Sequence, residues 1–197
     1  VTDARHRVRA GVASALGRVH HLPRDPGDRR ERRGSDRLRR GPRLVGVDAL
    51  ETHDVAFVEQ PVPAEDPEGL RYVYERSPLP IAADESCVTL SDVPAIADRA
   101  DIANVKLMKC GGIGPARRVI HAARAHGLEV MLGCMIETNA AIAAACHLAP
   151  LLDYADLDGA LLLDSDPYAG VPIDGDGIHL SALDDSGLAG TGARRDE

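Results

Sequence analysis

No run of apolar residues in this sequence reaches the roughly 20 positions that a membrane-spanning helix needs, so no transmembrane segment is expected. The amino terminus has no apolar core of the signal-peptide kind, and no secretory leader is read there. Cysteine is scarce: Cys87, Cys110, Cys134 and Cys146 form no Cys-x-x-Cys pair and no zinc-binding spacing. They are read as reduced thiols of a cytoplasmic protein. The glycines of Cys110-Gly-Gly-Ile-Gly114 invite a phosphate cradle ahead of a helix, but the Gly-Lys-Ser/Thr ending of a P-loop is missing. They read instead as a tight strand-to-helix turn.

The first 43 residues contain no Lys, Ile, Phe or Tyr. They hold 13 Arg against five acidic residues, a balance of +8 in a chain of formal net charge −8, so the remainder carries −16. Arg5-His-Arg-Val-Arg9, Asp28-Arg-Arg-Glu-Arg-Arg33 and Arg37-Leu-Arg-Arg40 follow neither a helical nor a strand period. A basic arm for nucleic acid would show a salt-dependent affinity lost on deletion of residues 1–43. The abrupt change of composition near Leu44 argues instead for a GC-rich coding sequence read out of frame. Val1 in place of Met points the same way, or marks an alternative start. Residues 1–43 are therefore set apart from a body at 44–180 and a tail at 181–197.

What is present begins at Val55. Val55-Ala-Phe-Val-Glu59-Gln60-Pro61, Ile81-Ala-Ala-Asp84-Glu85-Ser86 and Asn104-Val-Lys106-Leu-Met-Lys109-Cys-Gly-Gly112 are short apolar runs. Each ends on a charged side chain followed by a turn residue. Such runs suit strands buried on both faces, as in a parallel sheet. They recur about every 25 residues, centred near Phe57, Ala82, Val105, Met131 and Ala155, with a helix-like stretch in each gap. The expected helices are Pro67–Arg76, Ser91–Ala100 with Ser91 as N-cap, Gly114–His126, and an alanine-rich Thr138–Leu152 packed on more than one side. Asp-Gly steps in Val171–Leu180 predict a β-hairpin, and the glycine-rich stretch after Gly187 predicts disorder. Five βα units predict an α/β fold, an incomplete (β/α)8 barrel lacking its first strands, since a whole one needs roughly 250 residues. Chemistry in such barrels sits at the carboxyl ends of the strands, where Glu59, Asp84 and Lys106 fall.

Val58-Glu59-Gln60-Pro61, Ala83-Asp84-Glu85-Ser86 and Lys106-Leu-Met-Lys109-Cys-Gly-Gly112 resemble the enolase superfamily, in its muconate lactonizing enzyme subgroup. Met131-Leu-Gly-Cys-Met-Ile-Glu-Thr138 and Asp156-Leu-Asp158-Gly159 are most similar to dipeptide epimerases of the L-Ala-D/L-Glu type. The resemblance covers about residues 44–190. It implies an isomerase that moves a proton on and off the α-carbon of a dipeptide, with Mg2+ as cofactor and the dipeptide as partner. Neither a membrane nor nucleic acid enters that picture, and the oligomeric state, a homo-oligomer included, stays open.

The residue roles follow from what a carbon acid requires. Removing the proton beside a carboxylate creates an enediolate, whose second negative charge a carboxylate-held divalent metal stabilises as a Lewis acid. Mg2+ prefers hard oxygen ligands, and Glu59 and Asp84 fit as two of them. A lysine serves as base only when its pKa is lowered, which nearby cationic charge and partial burial both achieve. The resemblance makes Lys106 one of two acid/base lysines. A lone rim residue of any of these types would read as an ordinary ion pair, and it is the ordered set that points to chemistry. Lys109 stays between a structural and a functional role. His121, His126 and His147 fall on predicted helices away from the rim.

Asp156 and Asp158, alternate residues of a strand, are expected to face the barrel interior together. By resemblance they meet the free ammonium of the dipeptide, while Cys134 and Glu137 line the pocket. The superfamily's Lys-x-Lys on the second barrel strand, third metal-binding Asp and amino-terminal capping domain find no match. Asp48 in Gly46-Val-Asp-Ala-Leu50 stands too close to Glu59 for a βα unit between them. The expectation is therefore a truncated or frameshifted dipeptide epimerase, inactive as it stands. The alternatives are a muconate cycloisomerase, o-succinylbenzoate synthase or N-acylamino acid racemase on the same scaffold, and a non-enzymatic fragment with a basic arm.

Overall fold

The five apolar runs are too short to bury a helical face, and their β-branched and alanine-rich content suits strands covered on both sides. A computed structural model of the chain describes residues 19–20, 47, 53, 55–174, 177–184, 187 and 190–196. Within it the runs become β2 (Phe57–Glu59), β3 (Ile81–Ala83), β4 (Ile102–Lys106), β5 (Glu129–Gly133) and β6 (Tyr154–Asp156). These pair in sequence order, all parallel. β1 (Val19–His20) adds antiparallel to β2. Apart from β1, the Arg-rich segment lies outside the described residues, as does Asp48.

Each gap between parallel strands is crossed by helix, as parallel pairing requires. α1 (Pro67–Arg76) starts with Pro at its first turn and with the Asp66 carboxylate accepting from Gly69 N at 2.8 Å. α2 is only Val93–Ile96. The Ser91 cap is corrected: Thr89 and Asp92 form a capping box around a 3-10 turn at Leu90–Asp92, which uses up the start of the expected helix. α3 (Leu107–Cys110) is a single turn closed by Gly111 at φ 95. α4 (Ile113–Ala125) buries Ala116, Val119, Ile120 and Ala123 and stops before Gly127 at φ 80. α5 (Asn139–Cys146) buries Ile142, Ala143, Ala145 and Cys146.

The product is an α/β half-barrel, a curled sheet of parallel strands with helices outside. Its two faces have different cores. Ala103, Val105, Val130 and Leu132 join α4 and α5 on the outer face, while Val58, Ile81, Leu70 and Val73 do the same around α1. Phe57, Ala82, Ile102 and Met131 pack on the inner face, with Tyr154 edge-on to Phe57 at 5.2 Å between ring centres. The interior is therefore apolar at its amino-terminal end. On β4, Ile102, Asn104 and Lys106 share that inner face by the strand's period of two, so polarity rises toward the carboxyl end.

Beyond β6 come a 3-10 turn at Gly159–Leu162 and β7 (Tyr168–Gly170). β8 (Ile173–Asp174) and β9 (Gly177–Ile178) form the predicted hairpin, its two turn residues lying outside the described ones. The tail departs from expectation. β10 (Ala193–Arg195) pairs antiparallel with β7, and Gly192, at φ 80, lies against Leu183, Val171 and Ala143, leaving no room for a Cβ. A glycine there reflects close packing as much as chain freedom. Among the described residues no helix is long and apolar enough to cross a membrane.

Candidate active site at the carboxyl ends of the strands

Glu59 ends β2, Asp84 follows β3 directly, and Lys106 ends β4. All three are buried, at 3%, 2% and 2% exposure, and buried charges persist only where they are paired. Lys106 Nζ donates to Asp84 Oδ2 at 2.7 Å. Lys109 Nζ donates to the other oxygen, Oδ1, at 2.5 Å. Asn104 Nδ2 donates to Glu59 Oε1 at 2.7 Å. Burial pushes the Asp84 carboxyl up, but the ammoniums of Lys109 and Lys106 outweigh it and hold the group at about 2, below the ordinary 3.8.

The loop after β3 is gripped from β2 as well. Gln60 Oε1 accepts from the backbone N–H groups of Asp84 and Ser86 at 2.9 and 3.2 Å, and Gln60 Nε2 donates to Ser86 Oγ at 2.9 Å. Gln60 holds this position at φ 39, in the left-handed region a side chain rarely adopts. Strain of that kind persists where surrounding bonds over-determine it, and here they anchor the Asp84 turn.

A second group gathers at the ends of β5 and β6. Asp156 is buried at the end of β6. Asp158 lies past the strand, half-buried at the head of the 3-10 turn, so the expected strand pair is instead one strand residue and one turn residue. Cys134 Sγ accepts from Gly159 N at 3.3 Å. Burial pushes the Cys134 thiol up to about 12, and the carboxylates of Asp156, Asp158 and Glu137 add to that rise. Glu137 itself turns back, its Oε1 accepting from Met135 N at 2.8 Å.

Strand register joins the two groups. Lys106 pairs with Gly133, and Gly133 with Asp156, so the lysine, a glycine and a carboxylate stand in one row across β4, β5 and β6. A Cβ at Gly133 would fall 2.6 Å from Asn104 Oδ1 and 2.9 Å from Lys106 Cε. The missing side chain is what lets both inner-face residues of β4 occupy the interior.

Glu59 and Asp84 offer hard carboxylate oxygens of the kind Mg2+ takes, and the buried Asn104 Oδ1 nearby has no hydrogen-bond partner among the described residues. That donor chemistry fits a divalent cation. Among the described residues no group of three or more His, Cys, Asp or Glu is gathered to hold one. His126 and His147, at the ends of α4 and α5 and not on a strand, are bonded to the carbonyls of Ala122 and Thr191. Asn104, Gln60 and Gly133 were not singled out from the sequence. Asn104 was within reach, standing two residues before Lys106 and hence on its face.

A half-barrel of parallel strands with buried carboxylates and lysines at its carboxyl rim is the architecture of a barrel enzyme's catalytic end. The chain belongs to the Enolase C-terminal domain-like family, whose pattern matches residues 37–193. It is 45% identical over 134 residues to the L-Ala-D/L-amino acid epimerase of Flavobacterium johnsoniae, covering 68% of this chain and 40% of that protein. Among solved structures, the L-Ala-D/L-Glu epimerase of Bacillus subtilis in a substrate-liganded complex is similar, with a TM-score of 0.64 and 36% identity over 68% of this chain and 40% of that one. The dipeptide epimerase of Enterococcus faecalis complexed with Mg and L-Leu-L-Tyr has a TM-score of 0.62 and 38% identity, over 71% of this chain and 39% of its own. The chain thus spans about two fifths of the length of these relatives.

Proposed function

We propose that this site is that of a dipeptide epimerase, an isomerase moving a proton on and off the α-carbon of a dipeptide's carboxyl-terminal residue. The reading rests on the row of Lys106, Gly133 and Asp156 across three paired strands. A lysine and a carboxylate at one level, separated by a residue without a side chain, suit a substrate whose α-carbon faces Lys106 and whose ammonium faces Asp156. Asp158, from the following turn, supplies a second counter-charge to that ammonium. Cys134 and Glu137 wall the same end. Lys106 takes or returns the α-proton from one face. Glu59 and Asp84 would hold a divalent cation, which when bound stabilises negative charge growing on the substrate carboxylate. The similarity to the dipeptide epimerase of Enterococcus faecalis, which is complexed with L-Leu-L-Tyr, supports the same substrate class.

The ammonium contact separates dipeptides from N-acylated substrates, which lack that charge. In NMR titrations of the isotope-labelled chain, L-Ala-L-Glu is expected to shift resonances of Cys134–Glu137 and Asp156–Gly159, whereas N-acetyl-L-Ala-L-Glu is not. Asp156→Asn combined with Asp158→Asn should remove the response to the free dipeptide. Equal responses to both ligands would overturn the assignment of the aspartates and, with it, the choice of dipeptides.

A further inference from the structure

Lys109 is the motif residue that neither metal binding nor proton transfer absorbs. It sits on α3, one helical turn beyond Lys106, and the left-handed Gly111 that closes this turn keeps α3 against the end of its own strand. Its side chain is 15% exposed, and its ammonium meets four oxygens: Asp84 O at 2.6 Å, Asp84 Oδ1 at 2.5 Å, Cys87 O at 3.1 Å and Asn104 O at 3.2 Å. An ammonium has three N–H groups, so every donor is used and one is shared. Three of these oxygens belong to the turn after β3 and the fourth to β4. The bonds therefore tie the turn that carries Asp84 to the strand that carries Lys106.

We propose that Lys109 is the positioning residue of this site. By holding Asp84 Oδ1 and the carbonyls of Asp84 and Cys87, it fixes the rotation of the carboxylate. Oδ2 then faces the interior beside Lys106. Gln60 holds the same turn from β2, through Asp84 N and Ser86 N, so the turn is clamped from both neighbouring strands. A cation placed only for its charge would need one contact with the carboxylate. Two backbone carbonyls of the turn and one of β4 are what a geometric role requires. The inference rests on the reading of Asp84 as a cation-binding carboxylate, and the experiment separates the two.

The probes are Mn2+ alone, followed by the loss of free-ion signal in electron paramagnetic resonance, and amide hydrogen exchange, both on the full chain. Lys109→Met removes charge and hydrogen bonds, and Lys109→Arg keeps charge but not the compact four-oxygen geometry. Both variants are expected to speed exchange roughly tenfold or more at Cys87 N, which donates to Asp84 O, the scale of losing a charge-assisted hydrogen bond. Amides of β5 and α4 should keep their protection, which controls for global unfolding. Both variants should also weaken Mn2+ binding. If Lys109 merely repelled cations, Lys109→Met would bind Mn2+ more tightly, and that result overturns the proposal. Unchanged exchange at Cys87 in Lys109→Met overturns it as well. No saturable Mn2+ binding by the parent chain overturns the metal reading of Glu59 and Asp84, and the exchange at Cys87 then decides Lys109 alone.

Discussion

Asp84 is the residue on which the site turns, because one carboxylate bridges two lysine ammoniums, that of Lys106 being buried. Removing it leaves the buried Lys106 ammonium, and the partly exposed one of Lys109, without their counter-ion, a change that typically costs about 3–5 kcal/mol. Asp84→Asn is therefore expected to be strongly destabilised at pH 7. The pH dependence gives a sharper test. The folded-state carboxyl is depressed to about 2 from 3.8, so between these values the unfolded chain binds more protons and stability rises with pH. The contribution, about 2 kcal/mol, is complete above roughly pH 4 and lost as pH falls to about 2. The gap between parent and Asp84→Asn, measured by urea unfolding, should shrink across that window; a constant gap would sink the assignment. Glu59, Asp84 and Lys106 were legible in the sequence because each ends an apolar run. Gln60 was not, because its partner Ser86 lies 26 residues away; for Asn104 the strand period gives the face but not the contact with Glu59, 45 residues away, of which an uncharged amide carries no local signal.

At the scale of elements, the strand and helix order follows from pattern, while the exceptions follow from contacts that pattern does not encode. The five strands and α4 appear where apolar runs and 3.6-residue spacing put them. α2 is shorter than predicted because Thr89 and Asp92 cap a tighter turn first. β6 stops at Asp156, and Leu157 turns into the outer core at 1% exposure. The chain then passes Gly159 so closely under the segment that follows β5 that a Cβ there would lie 2.0 Å from Met135 O and 3.0 Å from Cys134 Sγ. A backbone oxygen cannot swing away as a flexible side chain does, so Gly159→Ala must displace the β5 end or the β6 turn. Overpacking of this kind costs typically about 1–3 kcal/mol, and the displaced segments carry Cys134, Asp156 and Asp158. Gly114, in the first turn of α4, has nothing within 4 Å of its Cβ position, and Ala suits a helix better than Gly by up to about 1 kcal/mol. Chemical denaturation should therefore show Gly159→Ala less stable than the parent and Gly114→Ala at least as stable. Equal losses in both would mean that glycine flexibility, not close approach, governs these positions.

For the molecule as a whole, the question is what two carboxylates and one lysine of the proposed kind accomplish. A 1,1-proton transfer needs a base on one face of the α-carbon and an acid on the other. The described residues offer Lys106 for one face, its ammonium bonded to Asp84. Lys109, with every N–H spent on the Asp84 turn and β4, is not placed to serve the other. Lack of one positioned general acid or base typically costs about 10²- to 10⁴-fold in rate. A dication held by two carboxylates exchanges more readily than one held by a fuller set, since Mg2+ keeps several waters wherever protein oxygens are few. The chain by itself is therefore expected to invert L-Ala-L-Glu no faster than background. Incubation of purified chain with L-Ala-L-Glu and Mg2+ in D2O, with the glutamyl α-proton followed by NMR, measures exchange and inversion together. Metal-dependent loss of that proton signal, abolished in Lys106→Ala, would show that one lysine and two carboxylates suffice for proton removal, and the expectation of inactivity would be wrong.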